Sequence, residues 1–250
     1  MSCVHNLAVF SIGFPGVVCR KHDSHQCEFM GCRGSVSYRC EVTSVVGFVQ
    51  QVACSYLRHG YWWYITGVIP EQKDAGAVDR KLIEKYRIDI SEWRRARNKQ
   101  RGRANLQYLR HDRFFAIFAT QGQHEYYQEE GGQVRCIRRV PLRYAGYSIS
   151  YRPGGRTRKG ESDPRWHSHV QMDRERYMEM KAWFEQYASR RKADWLGECL
   201  SRIPYEPYAP VRRQQLNILR AVNRRRKKAG MDQIPTSVLR TRRRIVRPYD

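Results

Sequence analysis

Negative charge is what this sequence has least of. It sets 24 Asp and Glu against 47 Lys and Arg, a formal net charge of +23 over 250 residues. A surface so short of carboxylates repels itself, and a polyanion is its natural counterion. Lysine is scarce too, supplying 10 of the 47 cations and leaving 37 arginines. Guanidinium groups fork onto phosphate oxygens and stack on bases, which an ammonium cannot do. A codon bias towards Arg would account for that choice of cation, but not for the excess of cations over carboxylates.

Other absences narrow the field. No apolar run approaches the 18 residues of a membrane-spanning helix, so no membrane partner is expected. There is no Walker A loop, no GxGxxG after a strand, no GxSxG and no HExxH, which leaves NTPase, dinucleotide-binding, α/β-hydrolase and zincin readings without support. Beyond residue 55 only Cys136 and Cys199 remain of the 8 cysteines, a usage that points to a reducing, intracellular and cytoplasmic setting. Leu7 to Val18 is weakly apolar but follows no Lys or Arg, unlike a secretory leader.

What is present can build a core. The chain is 41% hydrophobic and 12% aromatic, with 6 Trp and 16 Tyr, too much for a disordered basic tail. Residues 1–55 carry little charge and no clean period, and read as an irregular, Cys-rich, dispensable segment. Tyr61 to Ile69 is an aromatic, β-branched strand ended by Pro70. Asp74 and Ser91 cap two helices, the second very basic. Strands follow at 105–109 and 114–120, then a hairpin turning at Gly131-Gly132 between strands 126–128 and 134–137. Further strands read at 144–151 and 166–172. Asp173 then caps a helix striped by Tyr177, Met180, Phe184 and Tyr187. The remainder is helical and basic, with one helix ending at Gly230 and a short one from Thr236 to about Arg244. The expected fold is α+β: a mainly antiparallel sheet with packed helices over 56–203, then a basic helical nucleic-acid-binding region over 204–250.

Two cation clusters dominate the candidate site residues. One holds Arg94, Arg95, Arg97, Lys99, Arg101 and Arg103. The other holds Arg212, Arg213, Arg220, Arg224, Arg225, Arg226, Lys227, Lys228, Arg240, Arg242, Arg243 and Arg244, and between residues 211 and 250 only Asp232 and Asp250 oppose them. Each phosphate such residues neutralise releases condensed counterion, so both clusters are expected to contact nucleic acid, DNA or RNA. Tyr61, Trp62, Trp63 and Tyr64, with Phe114, Phe115, Tyr126 and Tyr127, add rings on which unpaired bases can stack. In a regular strand Trp62 and Tyr64 face one way, Tyr61 and Trp63 the other. Function is therefore expected to be nucleic-acid binding through Arg-rich helices and an aromatic sheet, in a mobile element, a replication apparatus or another nucleoprotein complex. A structural subunit of a ribonucleoprotein would carry the same charges.

Two further groups suggest metal. In Trp166-His167-Ser168-His169-Val170 both histidines point to one face of a strand, and a Tyr-bearing helix follows. That pattern resembles the HUH endonucleases, single-strand nickases of rolling-circle replication and certain transposases. The resemblance implies that His167 and His169 hold a divalent cation, Mg2+ or Mn2+, and that Tyr177 or Tyr187 attacks a DNA phosphate. Ser168 departs from the hydrophobic residue the family has there. His111 with Asp112 and His124 with Glu125 lie near strand ends and offer a second metal set. Cys19, His22, Cys27 and Cys32, with His25 between, number enough ligands for zinc but match no common finger spacing.

Overall fold

The computed structural model describes residues 38–155, 160–203, 205, 208–239 and 246–249. Its first helical run begins at Ser44, whose side chain accepts from the Gly47 N–H and caps α1 (Val45–Gln50). The run continues as a π-helical turn (Gln51–Tyr56) and a 3-10 turn (Leu57–His59), and Gly60 ends it at φ 93°. Phe48, Val49, Val52, Ala53 and Leu57 are buried at the centre of the main core. The expectation of an irregular segment through residue 55 is thus corrected for 38–55. A helix apolar on most of its circumference has no polar face to set a period, because it is enclosed on every side.

The first sheet is antiparallel, in the order β2 (Leu106–His111), β3 (Phe114–Thr120), β1 (Tyr61–Val68), β4 (Arg135–Cys136). A register shift between Tyr61 and Trp63 breaks the alternation of β1. Tyr61, Trp62 and Tyr64 consequently all face the α1 side, while Trp63 and Ile65 face the other. That other face lies under α2 (Ala75–Lys85), the turn holding Tyr86 and Ile88, and Tyr126 of α4 (Glu125–Glu129). Where a strand and a Gly-Gly hairpin were expected, α4 forms instead: His124 accepts from the Tyr126 N–H and nucleates a helical turn, and Tyr126 and Tyr127 pack edge to face.

The second sheet is a meander of β5 (Leu142–Tyr144), β6 (Tyr147–Pro153) and β7 (Trp166–Met172). Ala145 and Gly146, both at positive φ (46° and 78°), make the two-residue turn that splits the single strand expected at 144–151. Three helices follow: α5 (Arg174–Tyr187), α6 (Ala193–Ser201) and α7 (Ala209–Lys228). Met180 and Phe184 of α5, Leu196 and Leu200 of α6, and Val211, Ile218, Leu219 and Val222 of α7 share one core with α1 and both sheets. The basic region is therefore not a separate appendage. Gln214 of α7 donates to the Met172 carbonyl (3.1 Å) and accepts from its N–H (2.8 Å), covering the open edge of β7. The chain end docks against α1, where Gln50 bonds both backbone groups of Val246 and the Thr43 N–H donates to the Pro248 carbonyl. The architecture is α+β with two antiparallel sheets, and no helix among the described residues is long and apolar enough to cross a membrane.

Candidate nucleic-acid interface

The spacing along α7 divides its surface in two. Val211, Gln215, Ile218, Val222 and Arg226 recur every three or four residues and are buried. Arg213, Asn217, Arg220, Arg224 and Lys227 recur at the same interval, and all are exposed. The exposed stripe borders α5, and between the two helices lies an open cleft of about 630 Å³. Tyr177 and Lys181 of α5 and Asn217, Arg220, Asn223, Arg224 and Lys227 of α7 line it, with Gln233 from the following loop. No carboxylate is among those lining residues. Arg220, Arg224 and Lys227 form no ion pair among the described residues, whereas Lys181 and Arg225 share Glu185 at 3.9 and 3.4 Å. Asn223 fixes the loop: it donates to the Ile234 carbonyl (2.8 Å) and accepts from the Ile234 N–H (2.9 Å).

Arg226 is corrected as a phosphate contact. It is 2% exposed and donates to the carbonyls of Ala188 (2.8 Å), Arg191 (2.7 Å) and Asp232. Two of those carbonyls follow α5, so Arg226 caps the C-terminal end of that helix, where a positive charge is also favoured by the dipole. Arg226→Met leaves three carbonyls without their donor and is expected to cost about 3 kcal/mol, at roughly 1–3 kcal/mol per buried group left unpaired. Thermal unfolding checks it, with Arg224→Met expected to leave the midpoint unchanged. The sequence carried the signal, since Arg226 falls four residues after Val222 on the buried stripe.

The earlier cluster sorts the same way. Arg94, Arg97, Lys99, Arg101 and Arg103, on or just after α3 (Glu92–Gln100), are exposed and form no ion pair among the described residues. Trp93 is 65% exposed and holds the Arg97 guanidinium 3.6 Å from its ring centre. Arg95 turns inward and donates to the Ile88 carbonyl. Nearby, Arg110 is buried between Asp79 and Glu41, and Arg113 closes the loop after β1 by donating to Pro70 and Glu71 carbonyls.

His167 and His169 do share a face of β7, opposite Arg152 and Ser150 of β6. His167 bonds Asp163 at 3.0 Å, and Arg165 and His167 together hold that carboxyl well below the usual carboxylate range. Burial, then the charges of Arg152 and Arg213, hold His169 below its ordinary value, so it is neutral at neutral pH. Cations beside His169 disfavour a divalent metal and extend the positive surface of α7 onto the sheet. Ser168 points to the other face and donates to the Ala53 carbonyl. Tyr177 lines the α5–α7 cleft, whereas Tyr187 packs against Trp183 and Trp195 (centroids 4.7 and 6.2 Å). Ten residues apart on one helix, the two tyrosines are separated by roughly 15 Å along its axis.

His111 is buried against the Tyr144 hydroxyl (2.7 Å), and His124 is the cap of α4. Among the described residues no group of three or more His, Cys, Asp or Glu is placed to hold a metal. Cys19, His22, Cys27 and Cys32, and Arg240, Arg242, Arg243 and Arg244, lie outside the described residues.

The chain matches no protein-family model, and no curated protein or solved structure shows significant similarity to it.

Proposed function

We propose that this protein binds nucleic acid by its phosphates, with the α5–α7 cleft and the exposed stripe of α7 as the principal contact and α3 as a second. The observation that carries this reading is the composition of the cleft: Lys181, Arg220, Arg224 and Lys227 converge with amide side chains and a tyrosine, and no carboxylate lines it. On a packed helix the backbone is already ordered, so only side-chain freedom is lost on binding, and Arg presents forked donors to phosphate oxygens. Phosphate contacts position a strand without reading its sequence, so DNA and RNA both fit.

Salt is the test. With Arg213 added, five cations face this surface, and each phosphate contact on a single strand contributes roughly 0.7 to the fall of log K with log salt. A slope of about −3 to −4 is expected for an unstructured single strand. A slope near zero contradicts the reading.

A further inference from the structure

On the far side of the first sheet a second groove joins two pockets that share Gln123, His124 and Gln128. One pocket is basic, with Arg87, Arg94 and Arg103 along its wall. The other, about 710 Å³, is lined by Trp63, Gln121 and Tyr127. The walls are rigid. The Ala104 N–H donates to the Gln123 carbonyl, and the Gln123 N–H donates to the Gly102 carbonyl (3.1 and 2.9 Å). A Cβ on Gly122 would stand 2.6 Å from the backbone of Arg103 and Ala104, so the two loops interlock only with glycine there. Tyr127 is pinned by its hydroxyl to the Thr120 carbonyl and meets Trp63 edge to face.

Arg87 carries the independent observation. It sits just past the C-terminal end of α2 at φ 50°, the left-handed position that glycine normally takes. A long cation there is strained, and strain retained at a cleft wall points to a use for the side chain. Three guanidinium groups beside a concave aromatic-and-amide pocket match one nucleotide: phosphate on one side, base on the other. Glutamine amides both donate and accept, as base edges do. A base inside a duplex cannot enter such a pocket, because its edge is paired and its faces are stacked.

We propose that this groove takes one nucleotide of a single strand, its phosphate against Arg87, Arg94 and Arg103 and its base beside Trp63 among Gln121, Gln123 and Gln128. This rests on the nucleic-acid reading above but uses none of the α5–α7 residues.

The experiment compares fluorescence anisotropy of the full chain on a 12-nucleotide deoxy strand and on the same strand with every base removed. The wild-type chain is expected to bind the base-containing strand about tenfold more tightly, within the range a stacked base contributes. Trp63→Leu, which keeps β1 apolar, should abolish that preference while leaving affinity for the abasic strand unchanged. Should Trp63→Leu not fold, the exposed pair Gln121→Ala with Gln128→Ala must reduce the preference. Arg87→Gly should weaken binding several-fold while raising the melting temperature, a combination that a structural arginine cannot give. Equal affinity for the two strands, or a preference that survives these variants, overturns the groove. So does displacement of the strand by micromolar mononucleotide, which would make it a free-nucleotide pocket. Binding of neither strand sinks the wider nucleic-acid reading instead.

Discussion

Replacing Arg220, Arg224 and Lys227 together by glutamine should weaken binding to a single strand roughly fiftyfold at physiological salt, and flatten the salt slope by about 2. Each of the three loses one phosphate contact worth roughly 0.7 in slope, and at about 0.15 M salt that compounds to nearly two decades. All three side chains are exposed on one stripe of α7, so the fold should be untouched and the melting temperature unchanged. A matched control separates the cleft from net charge. Lys73→Gln, Arg80→Gln and Lys81→Gln remove the same charge from exposed positions on or beside α2. The control should change affinity less than about threefold, because none of the three residues lines the cleft and exposed charges off the contact surface are largely screened by salt. Equal losses in the two triple variants would mean that overall charge, not this cleft, holds the strand. Arg225 and Arg226 are left out by design, the first being paired to Glu185 and the second buried as a helix cap.

A chain that starts at Tyr56 should not fold. It loses Val42, Phe48, Val49, Val52 and Ala53, which are all within 2% of full burial in the core that joins both sheets to α5, α6 and α7. Burying a Val or Phe side chain is worth about 1.5–3 kcal/mol, so four such residues supply roughly 6–12 kcal/mol. That is as large as the whole stability of a typical domain. The same deletion strips Glu41 from buried Arg110, and Tyr38 from its hydrogen bonds to Gln107 and Tyr108. Circular dichroism and urea titration should find no cooperative transition in this chain. A chain starting at Tyr38 keeps every one of those contacts and should unfold cooperatively. A cooperative transition in the shorter chain would show that α1 is not part of the core it occupies here.

That contrast marks where the sequence was legible. Caps at Asp74 and Ser91, the aromatic strand from Tyr61 and the glycine stop at Gly230 all stood out, because each rests on local chemistry that acts within a few residues. The α1 run did not, since Val-Val-Gly-Phe-Val is β-branched and apolar on every side, and only enclosure by the rest of the fold makes it helical. The turn at Ala145-Gly146 stayed hidden because alanine rarely takes positive φ, and the bulge in β1 because one extra residue leaves no compositional trace. At the site, the sequence located the cations but not their employment. Arg95, Arg110, Arg113 and Arg226 spend their donors on carbonyls or carboxylates of the protein itself. Spacing from Val222 marks Arg226 as inward-facing, but only the folded arrangement separates the other three from Arg220, Arg224 and Lys227. The cleft between α5 and α7 was invisible for the same reason, as it joins Lys181 to residues some forty positions away.

Lysine footprinting addresses the placement of a nucleic-acid backbone in the α5–α7 cleft without any substitution. The full chain is acetylated briefly with and without a saturating single strand, and the modified lysines are read by mass spectrometry. Lys181 and Lys227 should be protected several-fold by the strand, while Lys73 and Lys81 on the α2 side react at the same rate in both samples. Unchanged acetylation of Lys181 and Lys227 in a chain demonstrably saturated with strand would place the strand elsewhere.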